Sequence, residues 1–345
     1  MTCRVCECHF KQRTACAMRL LGLLLLAGCG ISSPPSNAPA AASSNSTAAG
    51  AVADGAELGL AWNAGDATLR PVLGVPGSAQ FGASVVPAGS YSAAAFSPQS
   101  QLALVTDKKS NLYLLALPAA QPVLLAQGAP ANAAIVFAPL GRYAAVFAPG
   151  ASSAILISGL PQQPAAAQTP AGATVQAAAV SDAGTLLLAA STSGGTAITA
   201  ITASGARSTV ATLAGYGGMA FLPGSEDILL ADSAANTLSR VHNGVMQTLA
   251  TAKDGLNQPF AAAASLDNHW AVTANRADGT LVRVDLTSAT PTVRASCTCS
   301  PSTLLPLNGN AVFELTAPGT SASWMIEADD LTPRVLFIPP ARHGL

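Results

Sequence analysis

AAAFSPQSQLALV, residues 93–105, and AIVFAPLGRYAAVF, residues 134–147, are two copies of one pattern. A run of small and apolar residues ends in Phe, a short turn follows, and a second apolar run begins. The landmark recurs as Val180-Ser181-Asp182, Phe221-Leu222-Pro223, Ser265-Leu266 and Pro306-Leu307. Its third position, starting with the Pro of the first copy, falls at residues 98, 139, 182, 223, 266 and 307, spacings of 41, 43, 41, 43 and 41. Nine residues past the landmark stand Asp107, Ala148, Ser191, Asp232, Asn275 and Thr316, and turn formers such as Asn111, Gly195, Asn236 and Gly279 follow four further on. Side-chain to backbone bonding by Asp and Asn, and tolerance of positive φ by Gly and Asn, suit a turn there. A third strand (Leu112–Leu115, Leu238–Val241, Leu281–Val284) and a fourth (Val123–Ala126, Thr248–Ala250, Val335–Ile338) complete the unit.

Helical periodicity is missing throughout, which excludes a helical solenoid. Four short strands in each of six repeats of this length predict an all-β protein, a β-propeller. An extra strand pair, Leu58–Trp62 and Leu69–Gly74, precedes the first full repeat and has the look of the outer half of a blade. It either forms a reduced seventh blade or augments the last one, so six and seven blades are both open. Asp232–Val241 and Asn275–Asp285, the latter within ANRADGTLVRVDL, resemble repeats of the YVTN- and NHL-type propeller families. That resemblance covers Glu57 to Arg342 as architecture, although the eponymous motif and the tryptophan-aspartate signature are absent.

The N-terminal end carries a different message. Arg4, Lys11, Arg13 and Arg19 make a positive leader, Leu20–Ala27 is an apolar block of signal-peptide length, and Leu26-Ala27-Gly28-Cys29 closes it. This tetrad resembles the lipobox of bacterial lipoproteins. The resemblance implies that Leu26, Ala27 and Gly28 are read by the signal peptidase and that the Cys29 thiol takes a diacylglyceryl group before cleavage. Gly30, in place of an Asp, favours export to the outer membrane. Residues 1–28 are thus expected to be a removed signal peptide, and residues 29–56 a lipidated Cys followed by a disordered Ala/Ser/Pro-rich linker, since that composition cannot bury enough surface to fold. Residues 57–345 are the propeller domain. No apolar run outside the leader is long enough to span a bilayer as a helix. An outer-membrane barrel, the rival all-β reading, lacks its aromatic girdles.

Of seven Cys, four (Cys3, Cys6, Cys8, Cys16) lie in the leader, one is Cys29, and Cys297 and Cys299 remain as a candidate disulfide in an oxidising compartment. Cys3, Cys6, Cys8 and His9 have metal-like spacing, but a removed peptide offers no fold to hold a tetrahedral site. The whole chain carries sixteen basic and seventeen acidic residues; without the leader, twelve and sixteen remain, a net charge of −4. That excludes the basic field that nucleic-acid binding needs.

No nucleophile elbow, phosphate-binding loop, zinc-protease helix or EF-hand loop occurs. The predicted innermost strands, residues 91–97, 132–138, 175–181, 216–222, 259–266 and 301–307, contain no Asp, Glu, His, Lys or Arg. His269 reads as a turn residue, and the adjacent acids Glu226-Asp227 and Asp329-Asp330 as solvated turn charges. No catalytic residue, metal ligand or cofactor is assigned. The sequence therefore favours a membrane-anchored, non-catalytic binding or scaffold propeller of the cell envelope over its alternative, a lactonase-like hydrolase or lyase. Its expected partners are the bilayer, through Cys29, and an envelope protein or small ligand. The candidate rim is Asp107, Lys108, Lys109, Asp232, Lys253, Asp254, Asn257, Gln258, Arg276 and Asp278, where recognition groups gather on loops.

Overall fold

A computed structural model describes residues 56–341, apart from positions 98, 100, 118–120, 131, 289, 320 and 330. The leader, the Leu26-Ala27-Gly28-Cys29 tetrad and all but the last residue of the linker lie outside the described residues.

Seven antiparallel sheets follow one another, each from one contiguous stretch of chain. Among the described residues the first blade has three strands: β1 (Glu57–Asn63), β2 (Thr68–Leu73) and β3 (Gln80–Phe81). Six four-stranded blades follow. The second runs from Ala93–Ser97 to Gln121–Gln127, the third from Ala134–Phe137 to Ala165–Pro170, and the fourth from Val175–Val180 to Arg207–Leu213. The fifth runs from Tyr216–Phe221 to Val245–Ala250, the sixth from Pro259–Ala264 to Thr290–Ser296, and the seventh from Leu305–Pro306 to Arg334–Ile338. Among the described residues the one helical element is a 3₁₀ turn, Ala252–Asp254. The count is seven: the extra strand pair found in the sequence forms its own reduced blade.

The core is a ring of apolar clusters between neighbouring blades. Leu102, Leu112, Val146 and Ile157 join the second blade to the third, and Leu229, Leu238, Val282 and Val284 join the fifth to the sixth. The second strand of a blade is covered on both faces, as in the fully buried runs Leu102–Thr106, Ala144–Phe147 and Ile228–Asp232. That explains why these strands are continuously apolar where a half-exposed strand would alternate. Toward the axis the strands crowd and side chains shrink. A Cβ on Gly217 would stand 2.2 Å from the Pro259 carbonyl oxygen, and one on Gly218 would stand 2.8 Å from the Ala261 Cα. Glycine there lets the fifth and sixth blades approach.

Among the described residues, closure joins the first and seventh blades without exchange of a strand. Leu58, Ala61 and Val72 pack with Leu307, Val312, Met325 and Ile338. Asn308 donates from its backbone to the Leu58 carbonyl at 2.6 Å and from Nδ2 to the Glu57 carbonyl at 2.8 Å. The first strand of the seventh blade is shorter than the expected residues 301–307: only Leu305–Pro306 pair, with Glu314 and Phe313. Pro301 and Pro306 have no N–H to contribute to the ladder.

The repeat columns prove to be staples. Asp182 accepts from the amides of Leu140 and Gly224 at 2.8 and 2.9 Å, tying together the corresponding turns of three consecutive blades. Nine residues past their landmarks, Asp232 and Asn275 accept from amides of the preceding interblade loop, Gly215 and Asn257 respectively, each at 3.0 Å.

Candidate functional site

The turns between second and third strands, together with the interblade loops, bring most of the candidate rim to one place on the fifth and sixth blades. Several of these residues are spent on local structure. Asp232 is buried and accepts four backbone N–H groups. Asp254 completes a capping box with Thr251 at the 3₁₀ turn, where the Lys253 amide donates to the Thr251 hydroxyl. Asp278 accepts from the amide and hydroxyl of Thr280 and, at 3.2 Å, from Asn257 Nδ2. Slight burial pushes the Asp278 carboxyl up, but these hydrogen bonds and the charge of Arg294 outweigh it and hold it below the usual carboxylate range. Asp107, Lys108 and Lys109 sit apart on the second blade. There the Asp107 carboxylate accepts from the amides of Lys109 and Asn111, both at 2.8 Å, and from Asn111 Nδ2 at 2.9 Å. Slight desolvation acts upward on this carboxyl as well, and the hydrogen bonds override it, leaving its pKa lowered.

Gln258 and Arg276 are different. They line a cleft of about 230 Å³ with Tyr216, Ser233, Ala234 and Phe260. The Arg276 guanidinium carbon lies 5.5 Å from the centre of the Phe260 ring, within cation–π range. Among the described residues no carboxylate pairs with Arg276. Desolvation pushes the Tyr216 phenol upward, so it stays a neutral hydroxyl. The cleft therefore presents one cation, an amide and the Ser233 hydroxyl beside an aromatic face, a set suited to an anionic group carried on an apolar body. Tyr216, Ser233 and Phe260 were not legible as site residues, because they come from three separate segments.

The second cavity, about 290 Å³, is central. Residues of the first strands line it, including Ala94–Phe96, Ile135–Phe137, Ala178–Val180, Met219–Phe221 and Ala262–Ala264, with Leu60 and Trp62 of β1. Among the described residues Glu314 is its one ionisable lining group. It comes from a second strand, outside the inner strands read from the sequence. Only 5% exposed, it leaves Oε1 without a hydrogen-bond partner, and burial pushes its pKa up to about 8. A signal was present: Glu314 lies seven residues past its landmark, a column otherwise held by Val105, Val146, Ala189, Leu230 and Thr273.

Glu314 predicts a pH dependence of stability. Its folded pKa is raised above the ordinary 4.5, so between about 4.5 and 8 the folded state binds a proton that the unfolded state has released. Stability contributed by this group is present in full below the lower value and falls as pH rises, by up to ~1.4 kcal/mol per pH unit. Glu314→Gln is expected to flatten that decline, raising the thermal midpoint at pH 8 relative to the parent while changing it little at pH 4. Parallel curves for parent and variant across that range would rule the account out.

One expectation is corrected. Asp227 is 7% exposed and not a solvated turn charge. Arg240 Nε donates to it at 2.9 Å, and His242 Nδ1 stands 2.8 Å from Oδ1. Burial acts to raise its pKa, but the Arg240 and His242 interactions dominate and lower it. Both partners come from the strand Thr237–His242 alongside, which adjacency in sequence could not disclose. His269 does sit in a turn, its ring stacked on Trp270 with centroids 4.1 Å apart. The structure places the Cys297 and Cys299 sulfurs at bonding distance. Among the described residues no three His, Cys, Asp or Glu stand together to hold a metal.

These features define a seven-bladed β-propeller with a polar cleft on its rim and an apolar centre. No family model matches the chain, and no curated protein matches it in sequence. Solved structures share the fold. A protein of unknown function from Desulfotomaculum acetoxidans DSM 771 aligns with TM-score 0.56 and 11% identity over 83% of this chain and all of the other. The β-propeller domain of Cps50 (Swd1) from Myceliophteria thermophila gives 0.55 and 10% over 73% and 88%. Virginiamycin B lyase from Staphylococcus aureus gives 0.52 and 11% over 70% and 82%. At such identities the likeness is one of fold.

Proposed function

We propose that this protein is a lipid-anchored recognition module of the cell envelope, held by Cys29 at the outer membrane, whose propeller binds an acidic group of an envelope protein in the cleft between its fifth and sixth blades. The observation that carries the binding site is Arg276: an exposed guanidinium over Phe260, lining a preformed cleft with Gln258, with no carboxylate of the described residues to neutralise it. An incoming carboxylate meets a charge-assisted donor there without displacing an internal partner. The leader and the tetrad Leu26-Ala27-Gly28-Cys29 support the location.

The test is a photo-crosslinking amino acid at Gln258 in intact cells. A specific adduct is expected, falling about tenfold when Arg276 is changed to Ala, a loss of ~1.4 kcal/mol, and unchanged by Lys108→Ala on the second blade. An adduct insensitive to Arg276→Ala would reject the cleft as the site. Because an exposed ion pair carries the contact, crosslinking is expected to fall as salt is raised.

One observation favours the catalytic alternative, a propeller hydrolase or lyase: the Glu314 carboxyl, pushed up to about 8 inside an apolar cavity, could exchange a proton near neutral pH. Lactone or ester turnover abolished by Glu314→Gln would establish that reading in place of the non-catalytic one.

A further inference from the structure

The wall of the central cavity changes its make-up at the seventh blade. In the second to sixth blades it is made by first strands and the turns that follow them. In the seventh, where only Leu305–Pro306 pair as a first strand, Phe313 and Glu314 of the second strand, Val312–Glu314, reach the cavity as well. Glu314 thus meets the cavity from a column that longer first strands cover in the other blades, where it holds Val105, Val146, Ala189, Leu230 and Thr273.

The carboxyl sits among apolar groups. Trp62, Phe96, Phe137, Phe221 and Phe313 line the same cavity, and among the described residues no Lys, Arg or His does. On its own face of the strand Glu314 is followed by Val312 and, across the strand pair, Met325, which pack with Leu58 and Ala61 of the first blade. The titratable groups of these two blades, Glu57 and the Asp66–Arg70 pair on the first, Glu327, Asp329 and Arg334 on the seventh, lie outside the lining. Oε1 is buried without a hydrogen-bond partner. An acceptor left in that condition is costly, and more so when ionised. Leu305, paired with Glu314 in the ladder and 54% exposed, opens the cavity to solvent beside it.

We propose that the central cavity is a second binding site, taking a small amine whose ammonium group donates to Glu314 Oε1 while its apolar body lies against the aromatic and aliphatic wall. A volume of about 290 Å³ stands at the small end of ligand pockets and suits a compact molecule. The ammonium supplies both the donor that Oε1 lacks and a countercharge, and such charge-assisted bonds are about twice as strong as neutral ones. A neutral molecule of the same shape gains the apolar contacts alone, and an anion meets a carboxyl with no cation of the lining beside it. The site shares no lining residue with the rim cleft, so it goes beyond the binding reading and does not depend on it.

Calorimetric titration of the full chain with 2-phenylethylamine, and with 2-phenylethanol as its neutral isostere, tests the site. The amine is expected to bind about tenfold or more tighter than the alcohol. Burial pushes the Glu314 carboxyl up to about 8, so it must release its proton to hold a cation, whereas an alkylammonium stays charged through this range. Amine affinity is therefore expected to rise about tenfold from pH 6 to pH 7 and to level off above about 8, with a proton released on binding, while alcohol affinity stays flat. Glu314→Gln is expected to bring the amine down to the affinity of the alcohol and to remove its pH dependence, with a thermal midpoint at pH 4 close to that of the parent. Arg276→Ala is expected to leave amine binding unchanged, which separates a failure here from a failure of the rim cleft. Equal binding of amine and alcohol, amine affinity that survives Glu314→Gln, or no saturable amine binding, as for a cavity that holds water only, would each overturn the proposal.

Discussion

Cys29→Ser is expected to move the protein from the membrane fraction to the soluble fraction of the envelope and to leave residues 1–28 attached, seen as a slower-migrating band. The argument is chemical. The thiol is the nucleophile that the lipobox resemblance implies, and serine at the same place does not take the acyl-bearing group. Anchoring energy scales at ~0.8 kcal/mol per buried CH₂, and stable attachment needs more than one acyl chain. No helix among the described residues is long and apolar enough to cross a membrane. A variant that fractionates and migrates like the parent would end the lipoprotein reading and leave the rim cleft untouched.

Asp232→Ala is expected to destabilise the propeller by about 3 kcal/mol, through loss of charge-assisted hydrogen bonds each worth ~1.5–3 kcal/mol, partly offset by water reaching the freed amides. The carboxylate accepts from Ala214 at 2.7 Å, Gly215 at 3.0 Å, Ala234 at 3.0 Å and Ala235 at 2.9 Å. One side chain thus holds both the turn that follows it and the loop entering its own blade. For a domain of this size the thermal midpoint is expected to drop by roughly 6–12 °C. Asp232→Asn, which keeps one acceptor oxygen, is expected to lose less than half of that. The measurement is calorimetric unfolding, and a midpoint within about 2 °C of the parent would show that the staple is not carrying load. Because Ser233 and Ala234 line the cleft, a softened Asp232 turn is also expected to weaken crosslinking from Gln258.

Six of the seven blades and the strand order within them were legible because the structure repeats. Each blade meets the same packing problem, so the same columns recur: a continuous apolar second strand, and Asp or Asn nine residues past the landmark. Those columns also revealed Asp107, Asp232 and Asn275 as turn residues, the first two as rim candidates, but not the bonds by which Asp232 and Asn275 hold the preceding interblade loops. What a residue bonds to across 18 or 42 positions is absent from its local sequence, as the Asp232 and Asp182 contacts show. Asp227 failed for the same reason: its partners Arg240 and His242 meet it only because their strand lies beside it in the fifth blade.

The chain by itself determined the all-β class, the repeat of about 41 to 43 residues, the leader with its Leu26-Ala27-Gly28-Cys29 tetrad, and an inner wall nearly free of charge. Composition and periodicity are properties of contiguous residues, and these conclusions need nothing else. Tertiary structure alone decided that the first blade stands as a blade of its own, that Gln258 and Arg276 share a cleft with Tyr216, Ser233 and Phe260, and that Glu314 is a buried carboxyl facing the axis. A ring closes by bringing its first and last blades together, and a cleft or a buried charge exists only where segments far apart in sequence remove water from one another; both are set by packing.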